Sequence, residues 1–332
     1  MIRRIFLVIS LLIVVASTFA QSTKVIAHDP VAIFANGKYY VFTTGPGITA
    51  WQSDDLYNWR SVPDVFPEIP DWFSREVPNF NGHLWAPDVI YYKGEYYLYY
   101  SVSSFGSNLS LIGVATNKNL DPTSEDFGWT DHGTIIKSIP GRDNWNAIDP
   151  NIIFDNDSTP WMAFGSFWGG LKIVKLNDDL ISLAEPQEWH TIARRKRDFI
   201  LPDSEAGDGA IEGPFIFRKG EWYYLFVSFD YCCRQERSTY HVRVGRSKNV
   251  LGPYIDKDGI PMLQGGGSLV IEGDGINYYA IGHNSVYTFN GKDYMFSHGY
   301  DVNDRSLPKL LIHNVGWDDE GWPVLTEWKK EY

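Results

Sequence analysis

The sequence predicts an all-β fold, a five-bladed β-propeller, from a repeat that occurs five times along the chain. In each copy a polar or acidic residue opens an apolar run, which passes through a turn into a run rich in aromatic residues. The opening residues are 59, 61, 63 and 72 residues apart, which is a nearly regular period. No apolar pattern with helical spacing is long enough to indicate a substantial helix. The five opening residues are Asp29, Asp88, Asp149, Glu212 and Asn284.

Each repeat contains the elements of one propeller blade. The first two runs and the turn between them, such as Asn36-Gly37, are typical of a β-hairpin. A third apolar run follows and leaves room for an outer fourth strand. Four-stranded units of this kind are stable when they pack face to face around an axis. We therefore predict a single domain over residues 21–332. In the first four repeats the third run lies near Trp51, Val114, Val174 and Val244.

Residues 1–20 have the pattern of a secretory signal peptide. Arg3 and Arg4 precede an apolar run over residues 5–15, and small residues lead up to Gln21. The apolar run is too short to span a bilayer. We therefore expect an exported protein, in the periplasm or the medium, that does not insert in a membrane.

The composition is acidic, with 29 Lys and Arg against 41 Asp and Glu and a formal net charge of −12. This excess argues against nucleic acid or an anionic membrane surface as a partner. We expect a monomer. The two cysteines, Cys232 and Cys233, are adjacent, so they do not predict a long-range disulfide. We interpret them as buried thiols, with a strained bridge or metal binding as alternatives.

Several aromatic residues lie in polar turns rather than in strand interiors. Aromatic residues make up 16% of the chain, and most of them are expected to pack between blades. Those in turns could stack on the apolar faces of sugar rings, while nearby amides and hydroxyls bind the ring oxygens. This composition favours a carbohydrate cleft. The aromatic residues in question are Trp85, Phe105, Trp145, Phe167 and Trp168.

The acidic opening residues are candidates for catalysis. The innermost strands of a propeller line its channel, so equivalent residues at their starts converge at one mouth. Converging carboxyl groups raise one another's pKa, an arrangement typical of functional sites. Alone, an Asp before Pro, as Asp29 and Asp149 are, is also a common turn residue. Opposed carboxyl groups in a sugar cleft suit glycoside hydrolysis. Glu212 has the longest side chain of the set and is the natural proton donor, whereas the pattern alone assigns no role to Asp29 or Asp149.

Motifs along nearly the whole chain resemble glycoside hydrolase family 43, and in particular its endo-acting α-1,5-L-arabinanases. Each motif is short, but their number and order make the resemblance strong. They include HDP from residue 28, WAPD from residue 85, NAIDP from residue 146, GSFW from residue 165, SFDYCC from residue 228 and GHNSV from residue 282.

The resemblance implies a five-bladed propeller that hydrolyses internal α-1,5-L-arabinofuranosidic bonds of arabinan, a side chain of plant cell-wall pectin, with inversion. It implies that Asp29 is the general base, Glu212 the general acid, and Asp149 the residue that orients the acid and tunes its pKa. Asp88 matches no catalytic position and is expected to be structural. The residues expected to shape the central sugar subsite are Trp85, Phe105, Asn146, Ser166 and Phe167.

The resemblance also implies that His283 faces an ion in the central channel, a calcium ion whose other ligands are water. By itself a lone histidine is more often a structural residue, and calcium prefers oxygen ligands. With the resemblance, we expect His283 to bind calcium that supports the site.

Two other functions are compatible with the sequence. An exo-acting α-L-arabinofuranosidase or a β-xylosidase of the same family usually closes the cleft into a pocket and often carries an appended β-sandwich domain. The absence of an appended domain favours an open groove and endo cleavage instead. A non-catalytic sugar-binding propeller has no need for Asp29, Asp149 and Glu212 together, so this trio favours an enzyme.

Overall fold

The computed structural model describes residues 25–198, 200–202 and 205–327. The predicted signal peptide, residues 1–20, lies outside the described residues. The described chain forms five antiparallel sheets whose strands follow one another in sequence order, and these sheets are the five blades. The predicted all-β propeller is confirmed. No helix among the described residues has the length and apolar character needed to cross a membrane.

Each blade is a meander of four strands that runs outward from the channel. Blade 1 contains β1 (Val31–Ala35), β2 (Lys38–Thr43), β4 (Thr49–Ser53) and β5 (Trp59–Val62). Blade 2 contains β6 (His83–Tyr92), β7 (Glu95–Val102), β8 (Ser110–Asn117) and β9 (Thr130–Ser138). The short β3 (Gly45–Pro46), which lies between β2 and β4 in the chain, pairs with β6 and extends this sheet. Blade 3 contains β10 (Asn151–Phe154), β11 (Pro160–Phe164), β12 (Leu171–Lys175) and β13 (Trp189–Ala193).

The last two blades have longer inner strands. Blade 4 contains β14 (Ile211–Lys219), β15 (Trp222–Phe229), β16 (His241–Ser247) and β17 (Ser268–Glu272). Blade 5 contains β18 (Tyr278–Phe289), β19 (Lys292–Asp301), β20 (Pro308–Trp317) and β21 (Pro323–Glu327). The only helical elements of the described chain are α1 (Asp71–Glu76) and two short 3₁₀ turns (Gln235–Arg237 and Met262–Gln264).

The predicted hairpin turns set the register of the inner strands. Asn36 and Gly37 both have positive φ, 52° and 77°, as a type I′ turn requires. They join β1 to β2 so that Ala35 pairs with Lys38. Such turns match the twist of the flanking strands, so they bring the apolar first strand and the aromatic second strand into one sheet.

The ring is closed by contacts of blade 5 with the segment that precedes blade 1. Ile26 pairs with Lys309 of β20 in an antiparallel bridge. The N–H of Ala27 donates to the carbonyl of Pro308 at 3.1 Å, and the N–H of Leu310 donates to the carbonyl of Val25 at 3.1 Å. This closure brings the next residues of the chain against the last blade.

One residue with left-handed backbone lies in or just before the innermost strand of every blade. The N–H of each donates to a side chain of the preceding blade, over 2.8–3.1 Å. Buried N–H groups need a partner, so these bonds tie neighbouring blades together around the channel mouth. The five residues are Asp29, Ala86, Asp149, Gly213 and His283, with φ between 41° and 59°.

This alignment corrects the predicted one in three blades. The structural equivalents of Asp29 are Ala86, Gly213 and His283, rather than Asp88, Glu212 and Asn284. The cause is an irregularity in strand pairing, because β6, β14 and β18 each have a register shift at this point. A bulge of this kind inserts residues that a sequence repeat does not reveal.

Candidate active site

A cavity of about 850 Å³ lies at the channel mouth. Its volume is within the usual range for small-molecule sites. The structure brings together in its lining the three carboxyl groups, the predicted subsite residues and His283, whereas Trp145 lies outside it and packs against Phe164 and Trp189. The lining includes Asp29, Asp149, Glu212, Trp85, Phe105, Asn146, Ser166, Phe167 and His283.

Asp29 is buried and held by three side chains. Thr44 Oγ1 donates to Oδ2 at 2.5 Å, His28 Nδ1 lies 2.9 Å from Oδ2, and His283 Nδ1 lies 3.1 Å from Oδ1. Burial raises the pKa of Asp29, but the neighbouring histidines, His28 first and then His283, together outweigh this effect and lower the pKa well below its usual range. Burial lowers the pKa of His283, which lies against this carboxylate. Asp29 is therefore an ionised carboxylate.

Glu212 has the opposite protonation tendency. It lies in β14, where its side chain is partly exposed to the cavity, and Ser166 Oγ donates to its Oε2 at 2.7 Å. Burial raises the pKa of Glu212 to about 7, and the charges of Cys233 and Asp29 act in the same direction. Near neutral pH a large fraction of Glu212 is therefore protonated and able to donate.

Asp149 contacts the backbone of Gly213, the residue that follows Glu212. Its Oδ2 accepts a hydrogen bond of 3.0 Å from the N–H of Gly213. Burial, and then the charge of Glu212, raise the pKa of Asp149 well above its usual range. Asp149 and Glu212 thus both favour the protonated form, whereas Asp29 remains ionised.

Aromatic side chains and unpaired polar atoms line the rest of the cleft. The rings of Trp85 and Phe105 are 5.0 Å apart, and Phe105 is 75% exposed at the rim. Phe167 lies 5.9 Å from the ring of Tyr231. The side-chain oxygen of Asn146 is buried without a hydrogen-bond partner among the described residues. Stacking surfaces beside a free acceptor suit a sugar ring and its hydroxyl groups.

Asp88 has the structural role expected for it. It is buried outside the cavity lining, and its Oδ2 accepts a hydrogen bond of 2.7 Å from the N–H of Ile152. This bond joins blade 2 to blade 3. Burial raises the pKa of Asp88 to about 7.

The sequence analysis missed the groups that surround His28. The His28 ring stacks on that of His298 at 3.8 Å, and its Nε2 lies 2.8 Å from the hydroxyl of Tyr300 and 3.7 Å from Sγ of Cys233. Its adjacency to Asp29 is a signal that could have identified His28. The partners come from blade 5 and from the loop after β15, so nothing in the local sequence connects them.

The cysteines correct another prediction. Both are free thiols, but Cys232 is only partly buried and Cys233 is exposed, and both line the cavity. The pKa of the Cys233 thiol is lowered to about 5, first by a hydrogen bond with Cys232 and then by His28. The interpretation of these residues as buried thiols was therefore wrong for Cys233.

The residues around His283 do not form a calcium cage. Calcium takes six to eight oxygen ligands, whereas His283 supplies nitrogen and directs Nδ1 to Asp29. Two groups of described side chains have converging ligand atoms, and neither contains His283. They are His28 with Cys232 and Cys233, and His28 with Asp29 and His298. The calcium expectation remains a prediction.

A propeller that holds one ionised and one largely protonated carboxyl group in an aromatic cleft has the chemistry of a glycoside hydrolase. Comparison with known proteins agrees. The sequence profile of Glycosyl hydrolases family 43 matches residues 23–323, and the chain belongs to this family.

Relatives within the family differ in their named mode of action. The chain is 54% identical, over 96% of its length and 91% of the relative's, to the "Extracellular exo-alpha-(1->5)-L-arabinofuranosidase ArbA" of Cellvibrio japonicus (strain Ueda107). It is 40% identical, over 92% of its length and 90% of the relative's, to the "Extracellular endo-alpha-(1->5)-L-arabinanase 1" of Bacillus subtilis (strain 168). The solved structure of Cellvibrio cellulosa alpha-L-arabinanase complexed with arabinohexaose matches with a TM-score of 0.90, 55% identity and coverage of 91% of this chain and 96% of that one.

Proposed function

We propose that the protein hydrolyses α-1,5-linked L-arabinofuranosyl chains with inversion, using Asp29 as general base and Glu212 as general acid. The observation that carries the proposal is the opposite protonation of these two groups in one cleft, one kept ionised and the other raised to a pKa of about 7. The named activities of the relatives supply the substrate class, because both act on α-1,5-arabinofuranosyl linkages by name.

The reaction follows from these two protonation states. Glu212 donates its proton to the glycosidic oxygen as the bond to the anomeric carbon breaks. Asp29 accepts a proton from a water molecule, whose oxygen forms the new bond to that carbon from the opposite face. A water between base and sugar requires a wide separation of the two groups, about 6.5–9.5 Å in inverting enzymes. Blades 1 and 4, which hold them, are separated by blade 5 in the closed ring.

Neighbouring side chains keep the two groups in their states. His28 and Thr44 hold Asp29 ionised and fixed in orientation. Asp149 accepts from the N–H of Gly213, so it fixes the backbone that carries Glu212. When ionised, Asp149 also disfavours a second negative charge on Glu212 and so keeps the acid protonated. The cleft aromatics and Asn146 would orient the sugar.

The two relatives differ in whether their names describe cleavage from the chain end or inside the chain. The sequence analysis favoured internal cleavage, but the relative with 54% identity is named as exo-acting, and the endo-acting one is 40% identical. Greater identity favours release of units from the chain end, and we propose the exo mode for this protein. Internal cleavage by the same residues is the alternative.

Product analysis on debranched arabinan tests both parts. The exo mode predicts short products of uniform length from the first minutes, with little loss of polymer viscosity. An early ladder of mixed lengths with a rapid fall in viscosity would instead establish internal cleavage. NMR of the first products gives the stereochemistry, and a retained anomeric configuration would overturn the roles of Asp29 and Glu212.

An extracellular polysaccharide is a suitable substrate for the exported protein that residues 1–20 predict. The two relatives named above are both described as extracellular. We propose that processing occurs before Gln21, and intact-mass measurement of the exported protein tests this position.

A further inference from the structure

We propose that His28, Cys232 and Cys233 form a binding site for a thiophilic divalent cation, zinc above all, in the wall of the cleft. Their ligand atoms, Nε2 of the histidine and the two sulfurs, all lie within 4.8 Å of one another. Imidazole and thiolate ligands are the set that zinc prefers, whereas calcium and magnesium require oxygen.

The measured spacing is close to that of a zinc site. Zinc binds sulfur at about 2.3 Å and nitrogen at about 2.0–2.1 Å in tetrahedral geometry, which places two such ligands about 3.6 Å apart. Nε2 of His28 and Sγ of Cys233 are 3.7 Å apart. A cation could therefore bind both without a large movement of either side chain.

The other nitrogen of His28 lies next to a carboxylate, as the second nitrogen of many metal-binding histidines does. Such a histidine commonly gives its second ring N–H to a carboxylate, which fixes the tautomer and directs the free nitrogen to the metal. Nδ1 of His28 lies 2.9 Å from Oδ2 of Asp29 as an ion-pair contact, and Nε2 faces Cys233, so Nε2 is the nitrogen that can bind the cation. The ring is also held by its stacking on His298.

The site is accessible, and the cation competes there with the proton of His28 and with a hydroxyl group. All three residues line the cavity, so a cation can enter from the cleft and take water as its fourth ligand. The hydroxyl of Tyr300 lies 2.8 Å from Nε2 of His28, and the cation must replace this contact. The N–H of Cys233 donates to the same hydroxyl at 2.9 Å, which gives Tyr300 a partner after the exchange.

Binding would inhibit hydrolysis, a consequence that rests on the proposed function. A bound cation replaces the proton of His28, so it changes the group that keeps Asp29 ionised and in place. It also occupies cleft space beside Glu212. The binding itself depends only on the three ligands, so it can be measured separately from activity.

The experiment uses reduced, metal-free protein in a buffer with a non-thiol reductant. Zinc is titrated by calorimetry, and cadmium by the ultraviolet charge-transfer absorption that thiolate ligands give. We expect one cation per chain, lost in the Cys232→Ser/Cys233→Ser variant. Asp29→Asn, which keeps His28 but removes its carboxylate partner, should weaken zinc binding by about tenfold or more. Tyr300→Phe removes the competing hydroxyl and should bind zinc at least as tightly as the native protein.

If a variant does not fold, the native protein can still be used to test the proposal. Alkylating the thiols with iodoacetamide, after the reductant has been removed, must then abolish the cadmium absorption. Absence of that absorption in the unblocked reduced protein, or zinc affinity unchanged by loss of both thiols, would overturn the site. Zinc binding without inhibition of arabinan hydrolysis would leave the site in place and contradict only the link to Asp29.

Discussion

Asp149 accepts a hydrogen bond of 3.0 Å from the backbone N–H of Gly213, the residue that follows the proposed acid. The carboxyl group of one blade therefore fixes the strand that carries the acid of the next. Because Gly213 has φ of 59° and a Cβ there would lie 3.2 Å from the His283 ring, the same backbone also fixes the approach of blade 5. Three blades thus meet at this point.

Replacement of Glu212 separates proton donation from other roles. We expect Glu212→Ala to reduce turnover on arabinan by at least about a hundredfold, the usual scale for loss of an acid or base. An aryl arabinofuranoside whose leaving group needs no proton should be affected much less. The matched control is Asp88→Asn, a buried carboxyl group outside the cleft, which should retain most activity. Equal losses on both substrates would contradict the acid assignment.

The pH dependence of kcat/KM follows from the same pKa values. Glu212 must be protonated to act, and its pKa is about 7, so activity should fall as the pH rises above about 7. Asp29 must be ionised, and its pKa is lowered, so the acidic limb should lie below the normal carboxyl range. A profile measured on soluble arabino-oligosaccharide from pH 4 to 9 should therefore show the alkaline limb and no acidic limb. An alkaline limb that persists unchanged in Glu212→Gln would assign it to another group.

Stability should depend on pH through the same residue. The pKa of Glu212 rises from 4.5 to about 7 on folding, so its contribution is present below pH 4.5 and is lost as the pH increases through about 7. Glu212→Gln cannot ionise, and it should therefore be more stable than the native protein at pH 8, by up to about 3 kcal/mol. Denaturant unfolding at pH 8 and pH 4 measures this difference, which should nearly vanish at the lower pH.

Two variants can distinguish the effect of the Asp149 charge from that of its hydrogen bond with Gly213. Asp149→Asn can still accept from Gly213 but carries no charge, so we expect the alkaline limb of the pH profile to move to lower pH. Asp149→Ala loses both contributions and should lose more turnover, by about tenfold or more relative to Asn. Identical kinetics for the two variants would exclude a role for the contact with Gly213.

His283 and calcium are tested together. Loss of the His283 contact should raise the pKa of Asp29, so His283→Ala should move the acidic limb to higher pH. If calcium binds at His283, chelation should lower the Tm of the native protein and leave that of His283→Ala unchanged. The same Tm shift in both proteins would place any calcium elsewhere, and no shift in either would refute the expected ion.

The sequence predicted the repeats, the hairpins and the identity of the cleft residues. Each of these depends on local patterns, such as the Asn36-Gly37 turn or the aromatic second strands. The equivalence of residues between blades was not predictable, because bulges place Ala86 and Gly213 at the positions that Asp29 and Asp149 occupy in their blades. Ala86 and Gly213 lack the acidic side chain on which the repeat was aligned.

The contacts of His28 could not be predicted from the sequence either. Cys233, His298 and Tyr300 belong to the fourth and fifth blades, and only closure of the ring brings them to the start of the first. The residues that the family resemblance supplied were found because short motifs contain them, as HDP contains Asp29. Contacts between motifs leave no such local pattern.

The seam between the first and last blades has a consequence for the synthesis of the enzyme. Asp29 is translated well before His283, which contacts it, and before Lys309, which pairs with Ile26. A nascent or truncated chain that lacks blade 5 carries the proposed acid but cannot assemble the surroundings of the base. Hydrolytic activity should therefore appear only after the whole ring has been made and closed.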